Sequence, residues 1–116
     1  METKVRERAL VVDDNPAVLL AVSELVQGMG FEVDEADGPR AAMELYRAKD
    51  YHLVVSDVHM PGDIDGIQLA RIMRRKNAKQ SIVLMTGYAE RLGVGAGEFP
   101  IIAKPFEAKD LRNVLK

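Results

Sequence analysis

The chain has no cysteine and no tryptophan among its 116 residues, and only 5% of them are aromatic. Without cysteine there are no disulfides and no thiolate metal sites, a pattern at home in a reducing compartment. No apolar stretch approaches the roughly 18 residues needed to span a bilayer. Met1 to Arg8 alternates charges around no apolar centre, which excludes a secretory signal and predicts a soluble, cytoplasmic protein. Charge of one sign is lacking too. The 16 Lys and Arg against 18 Asp and Glu leave a formal charge of -2, giving little reason to expect nucleic-acid binding. The one local basic stretch, Arg71, Arg74, Arg75, Lys76 and Lys79, reads as a solvated helix end, because cations favour helix C-termini. Repeats, linkers and low-complexity segments are missing, so the length predicts one domain over 1–116, with a folded core from about residue 8.

Short apolar runs alternate with helical patterns along the chain. Ala9 to Val12 is uninterrupted and β-branched, as expected of a strand buried on both faces of a parallel sheet. Asn15-Pro16 then opens a helix as N-cap and first helical residue, with Val18, Val22, Leu25, Val26 and Met29 at helical spacing and Gly28 and Gly30 at its end. Phe31 to Glu35 alternates apolar and polar and predicts a more exposed strand near a sheet edge. A second helix starts at Gly38-Pro39 and places Ala42, Leu45 and Tyr46 on one face. Leu53 to Ser56 is the next strand, Met60-Pro61-Gly62 a loop, and Asp65 to Lys76 a helix that buries Leu69, Ile72 and Met73.

Ile82 to Met85 forms a fourth strand. Gly93, Gly95 and Gly97 each cost about 1 kcal/mol in a helix interior, so at most a short turn of helix is expected from Tyr88 to Leu92. Ile101 to Ala103 is the fifth strand, and Glu107 to Leu115 the last helix, using Leu111, Val114 and Leu115. This alternation predicts an α/β fold: a five-stranded parallel sheet with right-handed crossovers and helices on both faces.

In such a sheet the strand ends converge on one rim, where open α/β sheets bind their ligands. Asp13 and Asp14 follow the first run, Asp57 the third, and Lys104 the fifth. Three carboxylates and one ammonium then share a rim. Like charges gathered this way are unfavourable unless neutralised, and oxygen-only ligands suit a hard divalent cation such as Mg²⁺.

Leu10-Val11-Val12-Asp13-Asp14-Asn15, Ser56-Asp57-Val58-His59-Met60-Pro61, Thr86-Gly87-Tyr88 and Lys104-Pro105-Phe106 together resemble the receiver domain of two-component response regulators. The four motifs occur in the right order, on matching elements, across nearly the whole chain. The resemblance implies a flavodoxin-like three-layer sandwich, here with a shortened fourth helix. It also implies a phosphorelay switch in which Asp57 accepts a phosphoryl group from a histidine kinase or histidine phosphotransfer protein. By the same resemblance Asp14 is a direct Mg²⁺ ligand, Asp13 acts partly through water, and Asp57 and the backbone carbonyl of His59 complete the site, with Mn²⁺ as a substitute ion. Thr86 supplies a hydroxyl that turns toward the phosphoryl group, and Lys104 the ammonium that pairs with it. Asn15 reads as a cap only. Pro105 is expected to hold the turn after Lys104 through a cis peptide bond, as in the family.

His59 and Tyr88 fall two residues beyond Asp57 and Thr86, at the variable positions that tune phosphoryl lifetime in receivers. His52 reads as a loop or strand-start residue. Three departures from the family pattern stand out. The loop Pro61 to Gly66 is one residue longer than the commonest form, which leaves Asp63 as a solvent-facing turn residue near the metal site. Ile101 replaces the tyrosine or phenylalanine whose rotation reports phosphorylation in many receivers. The Thr86 to Lys104 span is short and glycine-rich, so the usual dimer through that face is not assumed, and a monomer or weak dimer is expected.

Two other readings compete: a haloacid-dehalogenase-like aspartyl phosphatase, and a non-phosphorylated interaction module. The first class carries a second aspartate where this chain has His59, and the second usually loses the acidic residues or the lysine retained here. No output domain is read in this sequence, and the downstream protein target is unspecified. Neither nucleic acid nor membrane is an expected partner of the domain.

Overall fold

The computed structural model describes residues 6–87 and 97–115. In chain order the elements are β1 (Arg8–Val12), α1 (Pro16–Gly28), β2 (Glu32–Ala36), α2 (Pro39–Ala48), β3 (Leu53–Asp57), α3 (Gly66–Lys76), β4 (Ser81–Thr86), β5 (Ile101–Ala103) and α4 (Ala108–Leu115). The expected short helical turn from Tyr88 to Leu92 lies outside the described residues. The five strands form one parallel sheet in the order β2-β1-β3-β4-β5. That order puts β1 and β3 beside each other at the centre, so Asp13 and Asp57 leave adjacent strand ends.

Successive side chains of a strand point to opposite faces, and the core divides accordingly. Leu10, Val12, Val54, Ile82 and Leu84 pack with Leu69 and Met73 of α3 and Ala42 of α2. Ala9, Val11, Leu53, Val55, Val83 and Met85 pack with Val22 and Val26 of α1 and Leu111 of α4. Each fully buried aliphatic side chain contributes roughly 1.5–3 kcal/mol. β3 is buried along its whole length, whereas edge strand β2 keeps Glu32 and Glu35 exposed, as its alternating sequence predicts.

Local chemistry fixes the element ends. Asn15 accepts from the backbone N–H groups of Ala17 and Val18 at 2.9 and 3.2 Å, with Pro16 as the first residue of α1. Gly30 follows the helix at φ 103°, a conformation that other residues adopt only with strain. Asp65 and Gln68 form a reciprocal capping box at the start of α3.

The basic stretch departs from expectation in part. Arg75, Lys76 and Lys79 are exposed, but Arg71 forks onto Glu98, and Arg74 donates to the Gln80 carbonyl at 2.7 Å while lying 5.1 Å over the Phe99 ring. These contacts seat the segment entering β5 on α3, with Phe99 in the core. No helix among the described residues is long and apolar enough to cross a membrane.

Candidate functional site

The turn from β1 into α1 aims Asp13 inward. Its backbone N–H donates to the Ala36 carbonyl at 3.1 Å, and its Oδ1 accepts from the Asn15 N–H at 2.9 Å. Asp13 is 1% exposed, while Asp14, one residue on, faces solvent at the rim. Asp57 ends β3 and is 5% exposed; the Val58 N–H beyond it donates to the Met85 carbonyl at 2.9 Å, which ties the strand end to β4. Thr86, the last residue of β4, is fully buried, and its carbonyl accepts the Lys104 N–H at 2.8 Å. That bond anchors Lys104 just past β5, where the Lys104–Pro105 peptide is cis.

The side chains then meet as the strand ends predict. Lys104 Nζ lies 3.1 Å from Asp57 Oδ1 and 3.3 Å from Asp13 Oδ2. Carboxylate oxygens of Asp13, Asp14 and Asp57 all fall within 4.8 Å of one another. Together with Lys104 they line an open cavity of about 420 Å³, whose rim adds His59 and Gly87. Burial pushes the Asp57 carboxyl above its ordinary range, the Asp13 charge adds to the push, Lys104 opposes it, and Asp14 reinforces it. For Lys104, burial pulls the ammonium down, but hydrogen bonding and attraction to Asp57, followed by Asp13, outweigh it and leave the group above its usual value. One ammonium cannot balance three carboxylates. The oxygen-only donor set and its residual negative charge therefore fit a hard divalent cation, of which Mg²⁺ is the small and common case.

Residues 9–116 match the response regulator receiver domain as a family. The chain belongs to that family. Relatives of this receiver domain include the signal transduction histidine-protein kinase BarA of Escherichia coli, 32% identical over 98% of this chain but only 13% of BarA. Another is the response regulator protein FleR of Pseudomonas aeruginosa, 32% identical over 93% of this chain and 24% of FleR. The chain thus spans a small part of these relatives' length. Among solved structures, TrrA of Thermotoga maritima in complex with Mg(2+)-BeF superposes with a TM-score of 0.84 at 31% identity, covering 94% of this chain and 96% of that one. TrrA has also been solved in complex with the histidine kinase ThkA, and there the TM-score is 0.82. The receiver fold, a flavodoxin-like sandwich of the kind seen in the chemotaxis protein CheY4 of Vibrio cholerae, accounts for the sheet order.

Other residues singled out in the sequence of this receiver domain fall as follows. Asp63 is exposed and stands outside the acidic cluster, as a turn residue does. Ile101 is half-buried on β5, paired in register with Leu84 and packed against the core. His59 is exposed at the cavity rim. Tyr88 lies outside the described residues. His52, read as a loop or strand-start residue, lies just before β3 and accepts the Arg8 N–H on Nδ1 at 3.1 Å. Two residues beside Asp57 were given no role of their own in the sequence, Ser56 and Gly66, and nothing in the sequence marks Gly66 as more than the end of a loop.

Proposed function

We propose that this receiver domain is the phosphoacceptor switch of a two-component phosphorelay, acting as one unit with its folded core from about residue 8 to 116. Asp57 takes the phosphoryl group from a phosphohistidine on a histidine kinase or histidine phosphotransfer protein. One oxygen of its carboxylate attacks phosphorus in line while the P–N bond breaks, and the departing imidazole nitrogen takes up a proton. Two anions repel, so the Lys104 ammonium beside Asp57 offsets charge on the transferred oxygens. Asp13, Asp14 and Asp57, with the His59 backbone carbonyl, would hold a Mg²⁺ or Mn²⁺ ion whose positive charge neutralises the phosphoryl oxygens.

The acyl phosphate adds negative charge and strong acceptor oxygens next to Thr86 and Lys104. Their reorientation biases the surrounding surface and so changes protein contacts. Ile101 has no ring to swing, so an aromatic rotation at that position is replaced either by one at Tyr88 or by another route. His59 and Tyr88 set how quickly water reaches the phosphoryl group. The chain is regulatory rather than an enzyme in its own right, cytoplasmic, and a monomer or weak dimer whose partners are proteins.

The observation that carries this reading is Lys104 Nζ placed between the carboxylates of Asp57 and Asp13 at the end of the central strands. The test is incubation with acetyl phosphate or beryllofluoride, with and without Mg²⁺, followed by mass spectrometry. Slow, Mg²⁺-dependent modification that disappears in Asp57→Asn is expected. Rapid multiple turnover of acetyl phosphate, or no modification at all, sinks the proposal.

A further inference from the structure

Two groups that the phosphoryl transfer itself does not use grip the peptide following Asp57. Ser56 Oγ, on a side chain 1% exposed, donates to the Asp57 carbonyl oxygen at 3.0 Å. Gly66, the first residue of α3, packs against the same carbonyl. A Cβ there would collide with the Asp57 oxygen and stand 2.9 Å from both the Asp57 carbonyl carbon and Val58 Cα. Both obstacles are backbone, so neither can swing aside. The Gly66 N–H donates to the Val58 carbonyl at 2.8 Å, and the Asp65–Gln68 capping box and the buried Ile67 and Leu69 hold the helix start in place.

Backbone conformation does not demand glycine at this position, because Gly66 is not among the glycines with positive φ. Helix propensity favours alanine over glycine. Only the closeness of Asp57 forbids it.

We infer that Gly66 and Ser56 are positioning residues: they fix the Asp57 carbonyl between the start of α3 and a buried hydroxyl, and so set where the Asp57 carboxylate meets Lys104 and an incoming phosphoryl group. Reactive groups have to be held to within about half an ångström, and a displacement of about 1 Å costs on the order of a hundredfold in rate. The kinetic consequence rests on Asp57 being the phosphoacceptor; the geometric claim does not.

The experiment uses the whole chain with Ser56→Ala, Ser56→Thr and Gly66→Ala. With acetyl phosphate and saturating Mg²⁺, the rate of Asp57 modification is expected to fall about tenfold in Ser56→Ala. About a hundredfold is expected in Gly66→Ala, and Ser56→Thr, which keeps the hydroxyl, returns to near the parent rate. A second readout needs no phosphorylation: the NMR signals of Asp57 Cγ and Lys104 Nζ, compared at one pH, shift in Ser56→Ala and Gly66→Ala and return in Ser56→Thr. Folded Ser56→Ala protein with the parent rate and unmoved signals overturns the inference, and this variant decides alone if Gly66→Ala does not fold. If the parent chain is not modified at Asp57, the proposed function falls, and the two NMR signals still decide whether Ser56 and Gly66 place the carboxylate.

Discussion

At the end of β3, Asp57 is buried beside a second carboxylate, whereas Asp34 on edge strand β2 accepts the Tyr51 hydroxyl at 2.6 Å and pairs with Lys49 at 3.1 Å. Burial pushes both carboxyls up. For Asp34 the bonds from Tyr51 and Lys49, with Arg8 further off, overcome that push and leave it below its ordinary value. For Asp57 the Asp13 charge adds to burial, and Lys104 only partly compensates. Tyr51 shows the reciprocal effect, its hydroxyl pushed up by burial and by the hydrogen bond to Asp34. One side-chain type therefore serves two ends: at β2 it is satisfied and holds α2 and the start of β3 to the sheet, and at β3 it is left under electrostatic pressure that a cation can relieve.

The pH signs oppose each other. Asp57, with a raised folded value, favours the fold below the ordinary carboxylate value of 3.8, and that contribution is lost as pH rises through its folded value. Asp34, with a lowered value, contributes stability above 3.8 that is lost as pH falls through its folded value.

The largest test of the contrast is metal. Mg²⁺ at a hundred times its dissociation constant should stabilise the parent chain by about 2.7 kcal/mol, seen as a raised melting temperature. Asp14→Asn and Asp57→Asn should lose most of that shift, and Asp34→Asn should keep it. Without Mg²⁺ at neutral pH, Asp57→Asn should melt above the parent, because it removes a charge the fold opposes. An unchanged or lower melting point breaks the comparison.

Next in size, Lys104→Met should destabilise the metal-free fold by about 2 kcal/mol in denaturant titration, since it strands Asp13 and Asp57 without their ammonium. The figure is held below that for a fully buried pair because the Lys104 side chain is 22% exposed. Smaller still, Asp34→Asn should cost about 1 kcal/mol at neutral pH. That loss should vanish in acid below the parent's folded Asp34 value, where the parent carboxyl is itself protonated. A pH-independent loss points to packing instead.

Strands and caps were legible because their signals are local. Ile101–Ala103 is a strand as read, Asn15 caps α1, and Asp65, read as the first residue of α3, is its N-cap. β2 runs one residue later than its alternation suggests, since pairing with β1 through Ala36 decides its end. The cluster of Asp13, Asp14, Asp57 and Lys104 was readable because a parallel sheet converts strand ends into neighbours. What pairs across distance without such a rule was not. Arg71 meets Glu98 across 27 residues, Tyr51 reaches back to Asp34 across 17, and Phe99 enters the core from a glycine-rich stretch. Gly66 escaped notice for a related reason: its role lies in the side chain it lacks, and only the distance to Asp57 reveals it.

The sheet also acts as a partition. Because alternate residues of β1, β3 and β4 serve separate packing clusters, α2 and α3 rest on one set of side chains and α1 and α4 on another. Truncations such as Met73→Ala and Leu111→Ala should then combine additively, as substitutions without shared partners do. An engineer can repack the layer under α2 and α3 while leaving untouched the layer beneath α1 and α4.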